Sequence, residues 1–268
     1  MGRSAARHRR NRFGAVATSM RVLAHAHTTY SADGELTPPE LADLAAQRGF
    51  QAVLLSDHFE HLTRDRFQRL VAECRSIDNC LMIPGYERSW RGYHVLALGV
   101  EQWFDDPVLP AWAAKVRGAR GITAMAHPGR YGHVIPGDIL AACDGVEVWN
   151  SKRGYDGSIG PNPRAYDLLG GGRRPLCGQD LHGIRHASSV ALELGATPID
   201  RVCILDALRQ GKYRMANRLY GFDGKLPTSA RAVLAVIHAG RGPAVKAAIR
   251  IVKRITRARR VSGDFTNQ

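Results

Sequence analysis

The sequence predicts an α/β fold whose mostly parallel sheet closes into a barrel of seven strands. Short apolar, β-rich runs alternate with helical patterns, and there are enough runs for a closed barrel rather than a short open sheet. The strand candidates are residues 22–25, 52–56, 81–87, 95–100, 122–126, 146–149 and 176–178.

Helix candidates lie between the predicted strands. Residues 38–48 have the clearest boundaries, because Thr37 suits the N-cap, Pro38 the first helical position and Gly49 the position past the end. The other candidates are residues 64–76, 107–118, 136–143, 163–169 and 200–210. This alternation is typical of helices that connect parallel strands.

The 268 residues divide into three predicted regions. We expect a disordered basic segment at 1–19, one large domain at 20–215 and a basic helical extension at 216–268. Two helices are predicted in the extension, at 230–239 and 243–259.

The net charge of +14 is concentrated at the two ends of the chain. In the predicted helix at 243–259, Val245, Ile249 and Val252 share one face, and lysines and arginines lie largely off it. Such a helix can pack on the domain, lie on an anionic membrane or bind nucleic acid. We favour packing and keep nucleic acid as the alternative partner.

Composition argues against a membrane-spanning or disulfide-stabilised protein. No apolar run reaches the roughly 18 residues of a membrane span, and no signal peptide is recognisable. The five cysteines are scattered and never in C-x-x-C spacing, which indicates reduced thiols. We therefore expect a cytoplasmic protein.

Residues that can bind metal ions follow the carboxyl ends of the predicted strands. They are His25, His27 and Asp33 after the first strand, His58 after the second, Glu87 at the third, His127 after the fifth, and Asp180 and His182 after the seventh. Asp57 adjoins the second strand, and Glu147 and Asn150 belong to the sixth. In a parallel barrel these strand ends meet on one face, so the side chains are expected to converge.

His94 differs from the others because it precedes its strand. Arg91 and Gly92 would let the chain turn back tightly after Glu87 and bring His94 near it. The fourth strand would then run antiparallel to the third, which the sequence leaves open.

The types of ligand predict the types of cation. Six imidazoles and three carboxylates suit Mn²⁺, Zn²⁺ or Fe²⁺ better than Mg²⁺ or Ca²⁺, which prefer oxygen ligands. Nine ligands are too many for one ion, so we expect two or three divalent metal ions as cofactors.

Seven short motifs occur in an order and spacing that resemble those of PHP domains, named after polymerase and histidinol phosphatase. The motifs are H-A-H-T-T-Y-S at 25–31, D-G at 33–34, L-L-S-D-H at 54–58, P-G-Y-E at 84–87, H-V-L at 94–96, A-H-P at 126–128 and G-Q-D-L-H at 178–182. The resemblance covers about residues 20–215. It implies a distorted seven-stranded β/α barrel with a phosphoesterase site of two or three metals.

The resemblance also implies how the ligands are shared. One metal would be held by His25, His27, Glu87 and Asp180, a second by Glu87, His94 and His127, and a third by Asp33, His58 and His182. Glu87, His127 and Asp180 would be the residues closest to the chemistry. Two positions depart from the family pattern: Leu23 replaces an acidic residue, and Ala32 is an additional residue before Asp33.

Cations in loops on the predicted metal face are candidates for binding a phosphate. These are Arg130, Lys152 and Arg185, together with Arg153. Asp57 is expected either to orient an imidazole ligand or to serve in a turn.

The expected function is metal-dependent hydrolysis of a small phosphomonoester. One alternative is a phosphodiesterase or exonuclease that acts on nucleic-acid ends, which the basic termini would suit. Another is a non-catalytic, metal-holding accessory domain, which the complete ligand set disfavours. An amidohydrolase is disfavoured because the candidate bridge is Glu87 rather than a lysine, and because the last motif is D-x-H.

Overall fold

The computed structural model describes residues 19–240. Backbone contacts divide the chain into two units, of which the first extends to Lys225 and the second begins at Leu226. The predicted helix at 243–259 lies outside the described residues, as does all of the predicted segment 1–19 except Ser19.

The first unit is a mixed α/β structure with two six-stranded sheets. Its strands are β1 (Met20–Ala26), β2 (Ala52–Leu55), β3 (Asp57–His58), β4 (Leu81–Ile83), β5 (Gly85–Trp90), β6 (Tyr93–Leu98), β7 (Ile122–Met125), β8 (Gly145–Asn150), β9 (Arg174–Gly178), β10 (Ala191–Leu194), β11 (Tyr213–Ala216) and β12 (Gly221–Asp223). The last two strands extend the sheet past residue 215, where the sequence predicts the end of the domain.

The first sheet has the strand order β12-β11-β10-β1-β2-β4. Strands β1, β2 and β4 are parallel, and the β10 to β12 strands are antiparallel additions at the other side of β1. Every residue of β2 is buried, which explains its uninterrupted apolar sequence.

The second sheet has the order β3-β5-β6-β7-β8-β9. Strand β6 runs antiparallel to both β5 and β7, and Arg91 and Gly92 form the tight turn that joins it to β5. Both turn residues have positive φ angles, 53° and 83°. The position of His94 leaves open whether the predicted fourth strand runs antiparallel to the third. In the structure this strand is β6, and it is antiparallel to β5.

The predicted closed seven-stranded barrel is not confirmed, since no sheet closes among residues 19–240. One break lies between β4 and β3, and the other lies at β1, where two partners share one edge. Its amino half pairs with β10, from Met20 opposite Leu194 to Val22 opposite Leu192. Its carboxyl half instead meets the chain that follows β9, where Gln179 N–H donates to the Ala24 carbonyl at 2.9 Å.

All six predicted helices are found. They are α1 (Pro38–Gln47), α2 (Arg64–Ser76), α3 (Leu109–Gly118), α4 (Gly137–Ala141), α5 (Pro163–Tyr166) and α6 (Arg201–Gln210). Helix α1 begins as predicted with Thr37 as N-cap, and Glu40 completes a capping box by accepting from Thr37 N–H at 2.8 Å. In the second unit, residues 228–240 are helical and include the predicted helix at 230–239.

No helix within residues 19–240 combines the length and the apolar character needed to cross a membrane. The five cysteines are all free, and four of them are buried.

Asp144 connects the start of β7 to α3 through hydrogen bonds, and replacing it tests how much these bonds stabilise the fold. Its carboxylate accepts from Thr123 N–H at 2.9 Å and from Arg117 Nε at 2.6 Å. We expect Asp144→Ala to lower the free energy of unfolding by about 1–3 kcal/mol, because the Thr123 N–H loses its acceptor. Urea denaturation at constant pH measures this change.

The control is Asp138→Ala, which removes an exposed ion pair with Arg91. Exposed pairs contribute about 0–1 kcal/mol, so this variant should stay close to the parent. Equal losses in the two variants would contradict the role given to Asp144.

Candidate metal centre

The nine predicted metal ligands come together, seven of them at or after the carboxyl ends of strands, Glu87 within β5 and His94 at the amino end of the antiparallel strand β6, and we call them the His/Asp/Glu cluster. Its members are His25, His27, Asp33, His58, Glu87, His94, His127, Asp180 and His182. Four overlapping groups of three have potential ligand atoms within 4.8 Å of one another: His27 with His58 and His182, His25 with His27 and Asp180, His25 with Glu87 and His127, and His58 with Glu87 and His94.

Glu87 occupies the middle of the cluster. Its Oε1 lies 2.9 Å from His94 Nδ1 and 3.0 Å from His127 Nε2. Its Oε2 lies 3.1 Å from His58 Nδ1 and 3.6 Å from His27 Nε2. The side chain is only 1% exposed, so this carboxylate depends on its neighbours for compensation of its charge.

Asp180 forms a second link between histidines. Its Oδ1 lies 3.5 Å from His25 Nε2, 3.4 Å from His27 Nε2 and 3.3 Å from His182 Nδ1. Its Oδ2 accepts from Lys152 Nζ at 2.8 Å. One oxygen therefore faces the imidazoles, and the other is held by an ammonium group.

Asp33 lies at the open side of the cluster. Its Oδ2 is 3.1 Å from His182 Nε2 and 3.4 Å from His58 Nε2, although its side chain is 53% exposed. The additional residue Ala32 therefore does not prevent Asp33 from reaching the two histidines with which the family pattern groups it.

Buried atoms without hydrogen-bond partners indicate that the cluster suits cations. His25 Nε2, His27 Nε2 and Glu87 Oε2 are all buried, and none has a hydrogen-bond partner. Buried polar atoms are rarely left without a partner unless an ion or water serves them. The donor set of imidazole nitrogens and carboxylate oxygens matches that of divalent transition-metal sites.

The protonation states also suit metal binding. Burial lowers the pKa of His27 to about 3, so its imidazole is neutral at physiological pH. Burial alone would raise the pKa of Glu87, but the imidazoles of His25, His127 and His58 lower it well below its usual range. Metal ions bind to neutral imidazoles and ionised carboxylates, so little protonation opposes binding at these two groups.

Three members of the cluster have left-handed backbone conformations. The φ angles are 62° at His25, 29° at His127 and 47° at Asp180. Non-glycine residues adopt such angles at a cost of about 1–3 kcal/mol each, and they concentrate at functional sites. The surrounding hydrogen bonds must hold these three residues in place.

Asp57 organises the loop that follows β1. It is fully buried and accepts from Thr28 N–H at 2.7 Å and from the Ser31 hydroxyl at 2.8 Å. The Ser31 oxygen in turn accepts from His58 N–H at 2.8 Å and lies 3.3 Å from His27 Nδ1. Asp57 therefore acts on the histidines through Ser31 and contacts no imidazole itself.

The predicted phosphate-binding cations differ in their surroundings. Lys152 lies against the cluster through Asp180, and its Nζ is also 3.3 Å from His182 Nδ1. The Arg130 guanidinium lies 5.9 Å from the ring centroid of Tyr131, which is itself 5.8 Å from that of His127. The exposed side chain of Arg185 is paired with Glu35 at 2.6 Å.

Two residues beside the cluster had no assigned role in the sequence. Tyr155 stands next to His127, and His61 has its ring centroid 5.4 Å from that of His58. Neither belongs to a motif, and only their three-dimensional neighbours reveal their positions. Glu147 was recognised only as part of a strand, and its buried carboxylate contacts His25 Nδ1 at 2.8 Å.

Comparison with known structures identifies proteins with a similar fold. One is a two-domain protein from Bacteroides vulgatus that contains a predicted PHP-like metal-dependent phosphoesterase. Its TM-score is 0.59 at 17% identity, and the alignment covers 75% of this chain and 65% of that chain. At this identity the similarity shows a shared fold.

Two other structures are less similar. A candidate metal-dependent phosphoesterase from Bifidobacterium adolescentis gives a TM-score of 0.44 at 18% identity, covering 60% of this chain and 87% of that chain. An amidohydrolase from Chromobacterium violaceum with bound sulfate and no metal gives 0.46 at 17% identity, covering 70% and 96%. TM-scores below 0.5 support no conclusion about this chain.

Comparison with curated proteins found no match. The model of the PHP domain family, however, matches residues 24–136 of the sequence. This segment includes seven of the nine members of the His/Asp/Glu cluster, all except Asp180 and His182. Residues 24–136 are therefore similar to PHP domains.

Proposed function

We propose that this protein is a metal-dependent phosphoesterase that hydrolyses a small phosphomonoester. The observation that carries the proposal is the convergence of eight potential ligands, with Asp33 beside two of them, and the buried nitrogen and oxygen atoms among them that have no hydrogen-bond partner. The family match and the similar fold of a structure described as PHP-like support it.

Two or three divalent cations would be shared among overlapping ligand sets. We assign His25, His27, Glu87 and Asp180 to the first ion, Glu87, His94 and His127 to the second, and Asp33, His58 and His182 to the third. Glu87 is the proposed bridge, because its two oxygens face different histidines. The many imidazoles favour Mn²⁺, Zn²⁺ or Fe²⁺.

When bound, such cations would activate a water molecule and neutralise negative charge on the phosphoryl group. The protein's own contribution is to hold the ligands rigidly and to exclude bulk water from a largely buried cluster. Only Asp33 is more than half exposed, which makes its side the natural entrance for substrate.

Lys152 and Arg130 are the proposed phosphate-binding residues. Lys152 places a positive charge directly beside Asp180, and Arg130 lies over the ring of Tyr131 next to His127. Two cations of this kind suit the dianionic phosphate of a monoester better than the single charge of a diester. Arg185 has Glu35 as its partner and would have to leave that ion pair to bind a phosphate.

The first prediction concerns metal content. Protein reconstituted with Mn²⁺ or Zn²⁺ should contain two or three equivalents by elemental analysis, and Glu87→Gln should lose more than one of them. Glu101→Gln, which changes a carboxylate paired with Arg75, should keep the parent value. A parent protein with one equivalent or none would contradict the shared cluster.

The second prediction concerns the reaction. The metal-loaded protein should hydrolyse p-nitrophenyl phosphate faster than bis-p-nitrophenyl phosphate, in a panel that also contains nucleotides, histidinol phosphate and short RNA. Preference for the diester or RNA would favour the nuclease alternative. A protein with two or three bound metals that cleaves none of these substrates would support an accessory, non-catalytic domain.

The third prediction concerns Arg130. We expect Arg130→Gln to lower kcat/KM for the preferred phosphomonoester by about 10-fold or more, since hydrogen bonds to charged groups contribute about 1.5–3 kcal/mol. Metal content should not change, because Arg130 is not a proposed ligand. Arg75→Gln is the matched control, and an unchanged kcat/KM in Arg130→Gln would exclude the proposed contact with the phosphate.

A further inference from the structure

Glu147 joins two members of the His/Asp/Glu cluster that lie far apart in the sequence. Its side chain extends from β8 and is buried, with 1% of the residue exposed. One carboxylate oxygen, Oε1, lies 2.8 Å from His25 Nδ1. The other, Oε2, accepts from the backbone N–H of His127 at 2.7 Å and from Asn150 Nδ2 at 3.0 Å.

These contacts determine which nitrogen of His25 carries a proton. A backbone N–H and an amide NH₂ can only donate, so Oε2 must be the acceptor of both. An ionised carboxylate has no proton to donate, so Oε1 is an acceptor as well and His25 Nδ1 donates to it. In this arrangement the Nε2 lone pair of a neutral His25 remains free for a metal ion.

The free nitrogen points to the place where a metal is proposed. His25 Nε2 lies 3.5 Å from Glu87 Oε1 and 3.5 Å from Asp180 Oδ1, and it is buried without a hydrogen-bond partner. Glu147 thus binds the Nδ1 side of the imidazole ring. The Nε2 side points to Glu87 and Asp180, which are proposed ligands of the same ion.

Glu147 also holds two of the strained backbone positions. It contacts the side chain of His25 and the amide of His127, whose φ angles are 62° and 29°. Gly178 on the neighbouring strand leaves room for the carboxylate, since a Cβ there would overlap Oε1 and lie 2.9 Å from His25 Cβ. The contacts of both oxygens and the close approach of Gly178 therefore hold the Glu147 carboxylate in place.

We infer that Glu147 is a positioning residue, which fixes the Nδ1–H tautomer of His25 and the orientation of His127. The inference rests on the proposed function, because it concerns proposed metal ligands. It also explains how His25 is supported although Leu23 replaces an acidic residue of the family pattern. Leu23 is 1% exposed within the apolar core, and Glu147 supplies a carboxylate to His25 from a different strand.

The variant Glu147→Gln tests this inference at nearly constant shape. Its amide has one oxygen, which should turn to the two donors, His127 N–H and Asn150 Nδ2. Its NH₂ group then faces His25 Nδ1 and forces that nitrogen to accept. The proton moves to Nε2, so the lone pair intended for the metal is lost.

The main readout is metal binding. We expect Glu147→Gln to bind the most tightly held ion about 10- to 100-fold more weakly in a competition with a chelator, as is usual for residues that orient metal ligands. The visible absorption spectrum of the Co²⁺-substituted protein should change as well. The matched control is Glu193→Gln, a residue of β10 that pairs with Arg21. Parent-like affinity and an unchanged Co²⁺ spectrum in Glu147→Gln would overturn the inference.

A second readout does not require a metal. In metal-free protein labelled with ¹⁵N and kept at an alkaline pH where His25 is neutral, His25 Nδ1 should be protonated in the parent and unprotonated in Glu147→Gln. If the parent binds no divalent cation, the proposed function fails, while an unchanged Nδ1 signal would refute the positioning role separately.

A milder variant guards against misfolding of Glu147→Gln. Asn150→Ala removes one of the two donors to Oε2 and keeps the carboxylate. Asn150→Ala should weaken metal binding as well, but less than Glu147→Gln does. Parent-like affinity in a folded Asn150→Ala, together with a parent-like Co²⁺ spectrum, would contradict the inference.

Discussion

The carboxylate of Glu87 lies in the interior of the first unit, and the imidazoles of His25, His27, His58, His94 and His127 surround it. An ionised carboxylate at this depth would be costly without charge compensation. The imidazoles meet this need only if they reach the same point from different strands. The tight turn after β5, the antiparallel course of β6 and the left-handed residues at strand ends all serve this convergence.

A set of further buried carboxylates maintains this convergence from outside. Asp57 fixes the loop after β1 through Thr28 and Ser31, and Glu147 connects β1 to His127, two residues past the end of β7. Both acids are held by several hydrogen bonds, from backbone N–H groups and hydroxyls at Asp57 and from a backbone N–H and an amide NH₂ at Glu147. Binding of metals at the cluster would therefore use a framework that is already ordered, so that little of the binding free energy is spent on positioning the ligands.

Much of the fold and of the candidate site could be predicted from the sequence, because both depend on local patterns. Apolar runs identified the buried strands, capping residues identified α1, and potential ligands at strand ends indicated the face where they meet. The rest depends on pairing between distant segments. Strands β10 to β12 are short and have no clear pattern in the sequence, and the division of the β1 edge between two partners has no local signal. The tautomer-setting contact of Glu147 and the ion pair of Arg185 with Glu35 likewise appear only when the neighbours are known.

The most direct test of a shared metal cluster is anomalous X-ray diffraction from crystals of the protein loaded with Mn²⁺ or Zn²⁺. We expect at least two anomalous peaks, each within coordination distance of a Glu87 oxygen, with His25, His27 and Asp180 around one of them and His94 and His127 around another. A single peak, or peaks that leave Glu87 without a metal neighbour, would contradict the central role assigned to this carboxylate.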